Sequence, residues 1–158
     1  MLFRSHSLDQ QPADTQTALQ LAELLLRRGK TSAAVKVMQP YVKDSTLQAQ
    51  VHLELARCFA AGGQYHLAIG SLQAALKTGG LSAEERKEAL YRLASANRRL
   101  MRFDEAIQAL EEILVEDLDY LNAQTLLDEI QREKITARVE PSLLKPGSRY
   151  LPEENQGR

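Results

Sequence analysis

The sequence repeats one helical pattern three times. In each copy a leucine-alanine pair lies in a first helical run, and a second alanine follows after a short break. The pairs are Leu21-Ala22, Leu55-Ala56 and Leu93-Ala94, and the second alanines are Ala34, Ala68 and Ala106. The second alanines are therefore spaced 34 and 38 residues apart. Because small side chains let two helices approach closely, this recurrence predicts an array of helical hairpins.

The spacing of apolar residues predicts helices throughout the repeated region and no strand. Apolar side chains recur at three and four positions, and good helix formers predominate. The predicted helices span residues 15–28, 31–43, 47–61, 65–77, 83–100, 103–116 and 119–137. Pro40 falls inside the second of these, so we expect it to kink that helix or to end it early.

Polar residues and glycines mark the ends of these helices. Ser82 and Glu85 have the spacing of a capping box, in which each side chain binds the other residue's backbone N–H. The caps predicted for other helices are Asp14, Asp44 or Ser45, and Asp119. The pair Gly62-Gly63 is predicted to end a helix, because glycine adopts the left-handed conformation at little cost.

Together these features resemble the tetratricopeptide repeat, over about residues 15–137. The resemblance implies an all-α, right-handed superhelical solenoid of antiparallel helix hairpins. It places the three repeats and a capping helix at about 15–46, 49–80, 87–118 and 119–137. The pattern departs from the family in the third repeat, where Asn97 replaces a large apolar residue and Met101 replaces a turn glycine.

The two ends of the chain lack this periodicity. Residues 1–14 are predicted to form a flexible arm, and residues 138–158 a proline-rich extended tail. Four side chains of the tail are candidate anchors, namely Leu143, Leu144, Tyr150 and Leu151. The tail is either solvated, or it docks on this solenoid or on a partner.

A cysteine, a glycine pair and a histidine lie close together at Cys58, Gly62-Gly63 and His66, which raises the question of catalysis. Cys58 as a nucleophile would need a base such as His66 within reach. In the repeat pattern Cys58 is predicted to be a small buried side chain and His66 a surface residue, so the two point apart. The histidines show no metal-ligand spacing. We therefore expect no enzyme, no metal and no cofactor.

Composition excludes further classes of partner. The net charge is −1 and aromatic residues make up 5%, which does not favour nucleic-acid binding. No stretch approaches the ~20 apolar residues of a membrane span. We expect no direct membrane insertion, and a location in the cytoplasm or on the soluble face of a larger assembly.

The resemblance implies that the first helix of each hairpin lines a concave groove. The groove positions fall on Leu19, Glu23, Arg27, Leu53, Arg57, Tyr91, Ser95, Arg98 and Arg99. We expect a protein or peptide partner, with acidic groups if the arginines are ligands rather than charges that complement helix ends. Some members of the family bind the C-terminal carboxylate of chaperones with lysines and asparagines at set groove positions. Leu19 and Glu23 stand at such positions here, so this binding site is incomplete.

The function expected is a non-enzymatic adaptor or scaffold that binds its partner in the groove. Three alternatives remain open, one of which is a helical enzyme with a convergent polar pocket. In the other two, the chain is an integral or assembly subunit of a large complex, held by its convex face and tails, or it self-associates through its end repeats into a homo-oligomer.

Overall fold

The structure is a computed structural model, and it describes residues 14–43 and 46–140. Within those ranges the chain forms seven α-helices and no strand, so the fold is all-α as predicted. The helices are α1 (Thr15–Arg27), α2 (Thr31–Met38), α3 (Gln48–Ala61), α4 (Tyr65–Thr78), α5 (Ala83–Arg99), α6 (Phe103–Glu116) and α7 (Ala123–Val139). The arm at residues 1–13, Asp44, Ser45 and the tail from residue 141 lie outside the described residues.

Proline shortens the second helix. The α-helix ends at Met38, and Gln39–Tyr41 forms a single 3-10 turn. Pro40 has no backbone N–H to donate and lies at the start of that turn. The expected early end is confirmed.

Two of the predicted caps form, and a third prediction was wrong. The Asp14 carboxylate accepts from the Thr17 N–H at 2.6 Å. The Ser82 hydroxyl accepts from the Glu85 N–H at 3.1 Å, and Glu85 accepts from the Ser82 N–H at 3.0 Å. Asp119 caps nothing, because turns anchored on Asp117 occupy this segment and delay α7 to Ala123.

The described chain divides into two compact units, up to Ala89 and from Leu90 onward. In the first unit α1 packs on α2, and α3 packs on α1, α2 and α4. Its alanines at the helix crossings are buried, with exposed fractions of 0% or 1%, which allows close packing. A core cluster of this unit consists of Ala18, Ala22, Ala34, Met38, Val51, Leu55 and Cys58.

In the second unit α6 packs on α7. Its interior includes the repeat alanines Ala94 and Ala106, each with no exposed surface. Leu110, Ile113 and Ile130 of this unit are also fully buried. The helix α7 continues to Val139, two residues into the segment that was predicted to be tail.

Three equivalent turns close the first helix of each hairpin with the same two hydrogen bonds. The N–H of Gly29, Gly63 or Met101 donates to the carbonyl three residues earlier, and the next N–H donates to a carbonyl five residues earlier. This is the Schellman motif, which requires a left-handed residue. Gly29 and Gly63 have φ of +74° and +76°, whereas Met101 adopts +58° despite its side chain.

Replacing Gly63 with alanine is expected to lower the free energy of unfolding by about 1 kcal/mol, because its φ is positive. No atom lies within 4 Å of the added methyl group, so the cost is purely conformational. Gly70 is the matched control: it lies in α4 with open space around it and no positive φ. Gly70→Ala should stabilise by up to about 1 kcal/mol. Urea denaturation measures the free energy of unfolding of both variants. If the two substitutions change it in the same direction, alanine at position 63 does not cause the expected backbone strain.

Candidate functional site

An open cleft lies between α1 and α3 in the first unit. Its volume is about 380 Å³, and we call it the α1–α3 cleft. Its lining residues are Gln16, Leu19, Gln20, Glu23, Leu47, Gln50, Leu53, Glu54, Arg57 and Glu85. Along α1, and again along α3, the lining residues recur at intervals of three and four positions. Each of these two sets therefore lies on one face of its helix. The cleft brings together Leu19, Glu23, Leu53 and Arg57 from the predicted groove.

Arg57 connects α3 to the start of α5. Its guanidinium donates to both carboxylate oxygens of Glu88, at 2.7 and 2.8 Å from Nη2, and to Glu54 Oε2 at 2.8 Å from Nη1. Although burial opposes it, these two carboxylates raise the pKa of Arg57. The paired, two-pronged geometry compensates the charge of Arg57 within the chain.

Arg98 has the corresponding role in the second unit, between α5 and α7. It forms hydrogen bonds with Glu133 and lies 3.1 Å from a carboxylate oxygen of Glu129. The hydrogen bonds to Glu133 raise the pKa of Arg98. Arg99 is exposed at the end of the same helix. The charge of Arg98, like that of Arg57, is matched by glutamates of the chain itself.

The remaining predicted groove residues also make contacts. Arg27 and Glu23 form an exposed ion pair at 2.6 Å, one helical turn apart. In the second unit the Tyr91 hydroxyl donates to Asn122 Oδ1, and the ring of Tyr91 meets that of Tyr120 edge to face. The Ser95 hydroxyl donates to the carbonyl of Tyr91. The tail anchors Leu143, Leu144, Tyr150 and Leu151 lie outside the described residues.

Glu54 is the cleft residue whose environment the sequence does not reveal. Its side chain is 5% exposed, and one oxygen is bound by Arg57. No donor in the described part of the chain reaches the other oxygen, Oε1. A buried carboxylate oxygen without a donor is costly, and such atoms are uncommon in folded proteins. The signal in the sequence is a glutamate inside the apolar run "VHLELARC".

Cys58 is confirmed as a buried side chain. It is 1% exposed, and burial, with a further contribution from the nearby Glu54 carboxylate, raises the pKa of its thiol to about 11. His66, the base considered in the sequence, is exposed on α4. Gly62 and Gly63 end α3, as predicted. The structure therefore does not present Cys58 as a thiolate nucleophile.

Cys58 is expected to react very slowly with iodoacetamide while the protein is folded. At pH 8 the thiolate fraction alone makes its alkylation about a hundredfold slower than in urea, where the pKa returns to near 9. The control is a Cys58→Ala protein that carries Gln73→Cys on the exposed face of α4. Its alkylation should differ little between the two conditions. Equal rates for native and unfolded Cys58 would contradict its burial.

Residues 14–43 and 46–140 contain neither a metal-ligating cluster nor a membrane-spanning helix. No group of three or more histidine, cysteine, aspartate or glutamate side chains is arranged to hold a metal ion. None of the helices described there is both long and apolar enough to cross a membrane.

A family model of the tetratricopeptide repeat matches the sequence twice, at residues 19–80 and 59–119. The two matches overlap and together cover about two thirds of the chain, from the cleft residues of α1 to the end of α6. A comparison with curated proteins found no match. The chain belongs to the tetratricopeptide repeat family, and its fold is a helical-repeat solenoid of that family. Such repeats generally mediate protein–protein interaction.

Proposed function

We propose that this protein is a non-enzymatic interaction module that binds a peptide segment of a protein partner in the α1–α3 cleft. The observation that carries the proposal is the cleft itself, which collects four of the residues that the repeat pattern assigns to ligand contact. Its volume lies in the range of ligand sites, and it is open to solvent. We also retain a location in the cytoplasm, or on the soluble face of an assembly, as a proposal.

The chemistry of the cleft suits an extended peptide. Gln16 and Gln20 are exposed amides on α1, and amides can both donate to and accept from a peptide backbone. Leu19 is half-buried and Leu53 is 4% exposed, so two apolar side chains lie within a lining that is otherwise mainly polar. A peptide would bind by apolar contact below and by hydrogen bonds at the rim.

The sequence led us to expect that groove arginines would attract acidic groups of a partner. The proposal does not depend on this attraction. Arg57 already binds two carboxylates, and Arg98 binds Glu133 and Glu129. An acidic ligand would have to displace these internal partners. The proposed site therefore depends on the shape and polar rim of the cleft, and Arg57 and Arg98 are unsuitable for substitution as probes of binding.

Site-specific photocrosslinking tests the proposal. A photoreactive phenylalanine derivative replaces Gln20 at the cleft or, as a matched control, Gln73 on the exposed face of α4. Both positions are exposed glutamines of helices in the first unit. In cells that express the full chain, we expect a discrete crosslinked protein from position 20 that position 73 does not give. The same products from both positions would overturn the proposal.

A second candidate, a permanent or self-associating subunit, is favoured by one observation. Val115, Leu118 and Leu121 are 88%, 74% and 68% exposed at the connection between α6 and α7. Three large apolar side chains exposed within residues 115–121 offer a candidate interaction surface. Sedimentation of the full chain should then show an oligomer that Leu118→Ser reduces to monomer. A monomer at all concentrations would exclude self-association through this surface.

A further inference from the structure

The lining of the α1–α3 cleft is negatively charged. Three carboxylates line it, those of Glu23, Glu54 and Glu85, against the single guanidinium of Arg57. Three negative charges against one positive charge leave a formal charge of −2 on the lining, and this value does not change when Arg27, the partner of Glu23, and Glu88, the partner of Arg57, are included. Since the guanidinium is held by Glu88 outside the lining as well as by Glu54, it is not available to compensate the other carboxylates.

The described residues supply an incomplete set of donors to these carboxylates. Glu85 accepts from two neutral donors, the Ser82 N–H at 3.0 Å and the Gln50 amide at 3.2 Å. Glu54 is 4% exposed, and its Oε1 lacks any donor from the described residues. This orphaned oxygen is an observation independent of the charge count, and it indicates a hydrogen-bond donor from beyond the described residues, because an unpaired buried acceptor is costly.

We propose that the α1–α3 cleft receives a lysine or arginine side chain from a basic segment of the partner protein. This inference rests on the proposed function and specifies the chemistry of its ligand. The cationic head group donates to the rim carboxylates of Glu23 and Glu85, and it reaches the buried Glu54 Oε1 when the side chains that cover this oxygen move apart. The aliphatic stem lies against Leu19 and Leu53, as long basic side chains commonly do on apolar surface.

The charge relations favour this occupant over an acidic one. A carboxylate entering the cleft would meet three like charges and would have to compete with Glu54 and Glu88 for Arg57. A cation meets opposite charge at the lining carboxylates and leaves the pairs of Arg57 with Glu54 and Glu88 in place, while it shares Glu23 with the exposed Arg27. Interactions between partly buried charges are screened less than those at the surface, so the preference persists at physiological salt.

The test is a selection from a random peptide library displayed on phage, with the full chain as bait. Three baits are compared: the unaltered chain, Glu23→Lys at the exposed rim of the cleft, and Glu111→Lys on an exposed position of α6. Both substitutions change the net charge equally. We expect peptides from the unaltered chain and from Glu111→Lys to be enriched in lysine and arginine, and Glu23→Lys to lose that enrichment by at least about tenfold.

Glu54→Gln gives the second readout, because it keeps the shape of the side chain and removes its charge. A selected basic peptide should bind this variant about tenfold more weakly in fluorescence anisotropy, while circular dichroism confirms that the variant is folded. Enrichment of acidic peptides, no enrichment of either charge, or equal losses for Glu23→Lys and Glu111→Lys would each overturn the inference. A partner that crosslinks at position 20 but is unaffected by Glu23→Lys would leave the proposed function standing and reject only the basic ligand.

Discussion

Replacing Arg57 with methionine is expected to lower the free energy of unfolding by about 2 to 3 kcal/mol. Methionine keeps most of the unbranched stem, but the substitution leaves Glu54 and Glu88 without their cation. Glu54 is only 5% exposed in its side chain, so its charge is left buried and unpaired. Removing one partner of a buried ion pair typically costs about 3–5 kcal/mol, and the partial exposure of Arg57 and Glu88 reduces that value here. Urea denaturation monitored by circular dichroism measures the change.

The control for this prediction is Arg27→Met, which breaks the exposed pair with Glu23. Because exposed pairs contribute little, its effect should stay below about 0.5 kcal/mol. The double variant Arg57→Met with Glu54→Gln should recover part of the loss, since the amide carries no charge to bury. If Arg57→Met costs no more than Arg27→Met, the bridge between α3 and α5 does not stabilise the fold.

Truncating Leu72 to alanine should destabilise the protein by about 3 kcal/mol. Leu72 is 1% exposed on α4, four residues after the crossing alanine Ala68. Removing a fully buried leucine loses its burial and leaves a cavity, which together cost about 2–5 kcal/mol in well-packed cores. A shift in the urea midpoint without a change in slope would show that stability, and not compactness of the unfolded chain, has changed.

Leu67 on the same helix is the comparison for Leu72. Its side chain is 51% exposed, so Leu67→Ala should cost less than about 1 kcal/mol. Both variants make the same chemical change in the same helix, so the difference between them reports burial alone. Similar costs at the two positions would mean that α4 does not present the predicted face to the core.

Local patterns in the sequence determine most of the helix boundaries. Helix α4 was predicted at 65–77 and runs from Tyr65 to Thr78, and the prediction for α6 agrees at both ends. Periodicity and capping act within a few residues of the chain, so they can be read directly. The start of α7 was missed because Asp119 has the chemistry of a cap, whereas hydrogen bonds to Asp117 determine the local turns.

The cleft was only partly predictable for a physical reason. The repeat pattern assigns groove positions to the first helix of each hairpin, and four of these, Leu19, Glu23, Leu53 and Arg57, line the cleft. It does not reveal what a charged side chain binds when the partner is far along the chain. Glu54 is three residues from Arg57 and could be considered from the sequence, but Glu88 is in another hairpin and approaches only when the helices pack. The missing donor at Glu54 Oε1 likewise depends on packing.

The two arginine bridges make the order of the hairpins part of the fold. Arg57 of α3 binds Glu88 of α5, and Arg98 of α5 binds Glu133 of α7, so the first helices of the second and third hairpins each carry an arginine that pairs with a glutamate of a later helix. The alanines at the crossings are the same in every repeat, so they do not distinguish one hairpin from another. The ion pairs are not interchangeable in this way. Exchanging the second and third hairpins would separate both arginines from their glutamates, so these repeats share one architecture but are not modular parts.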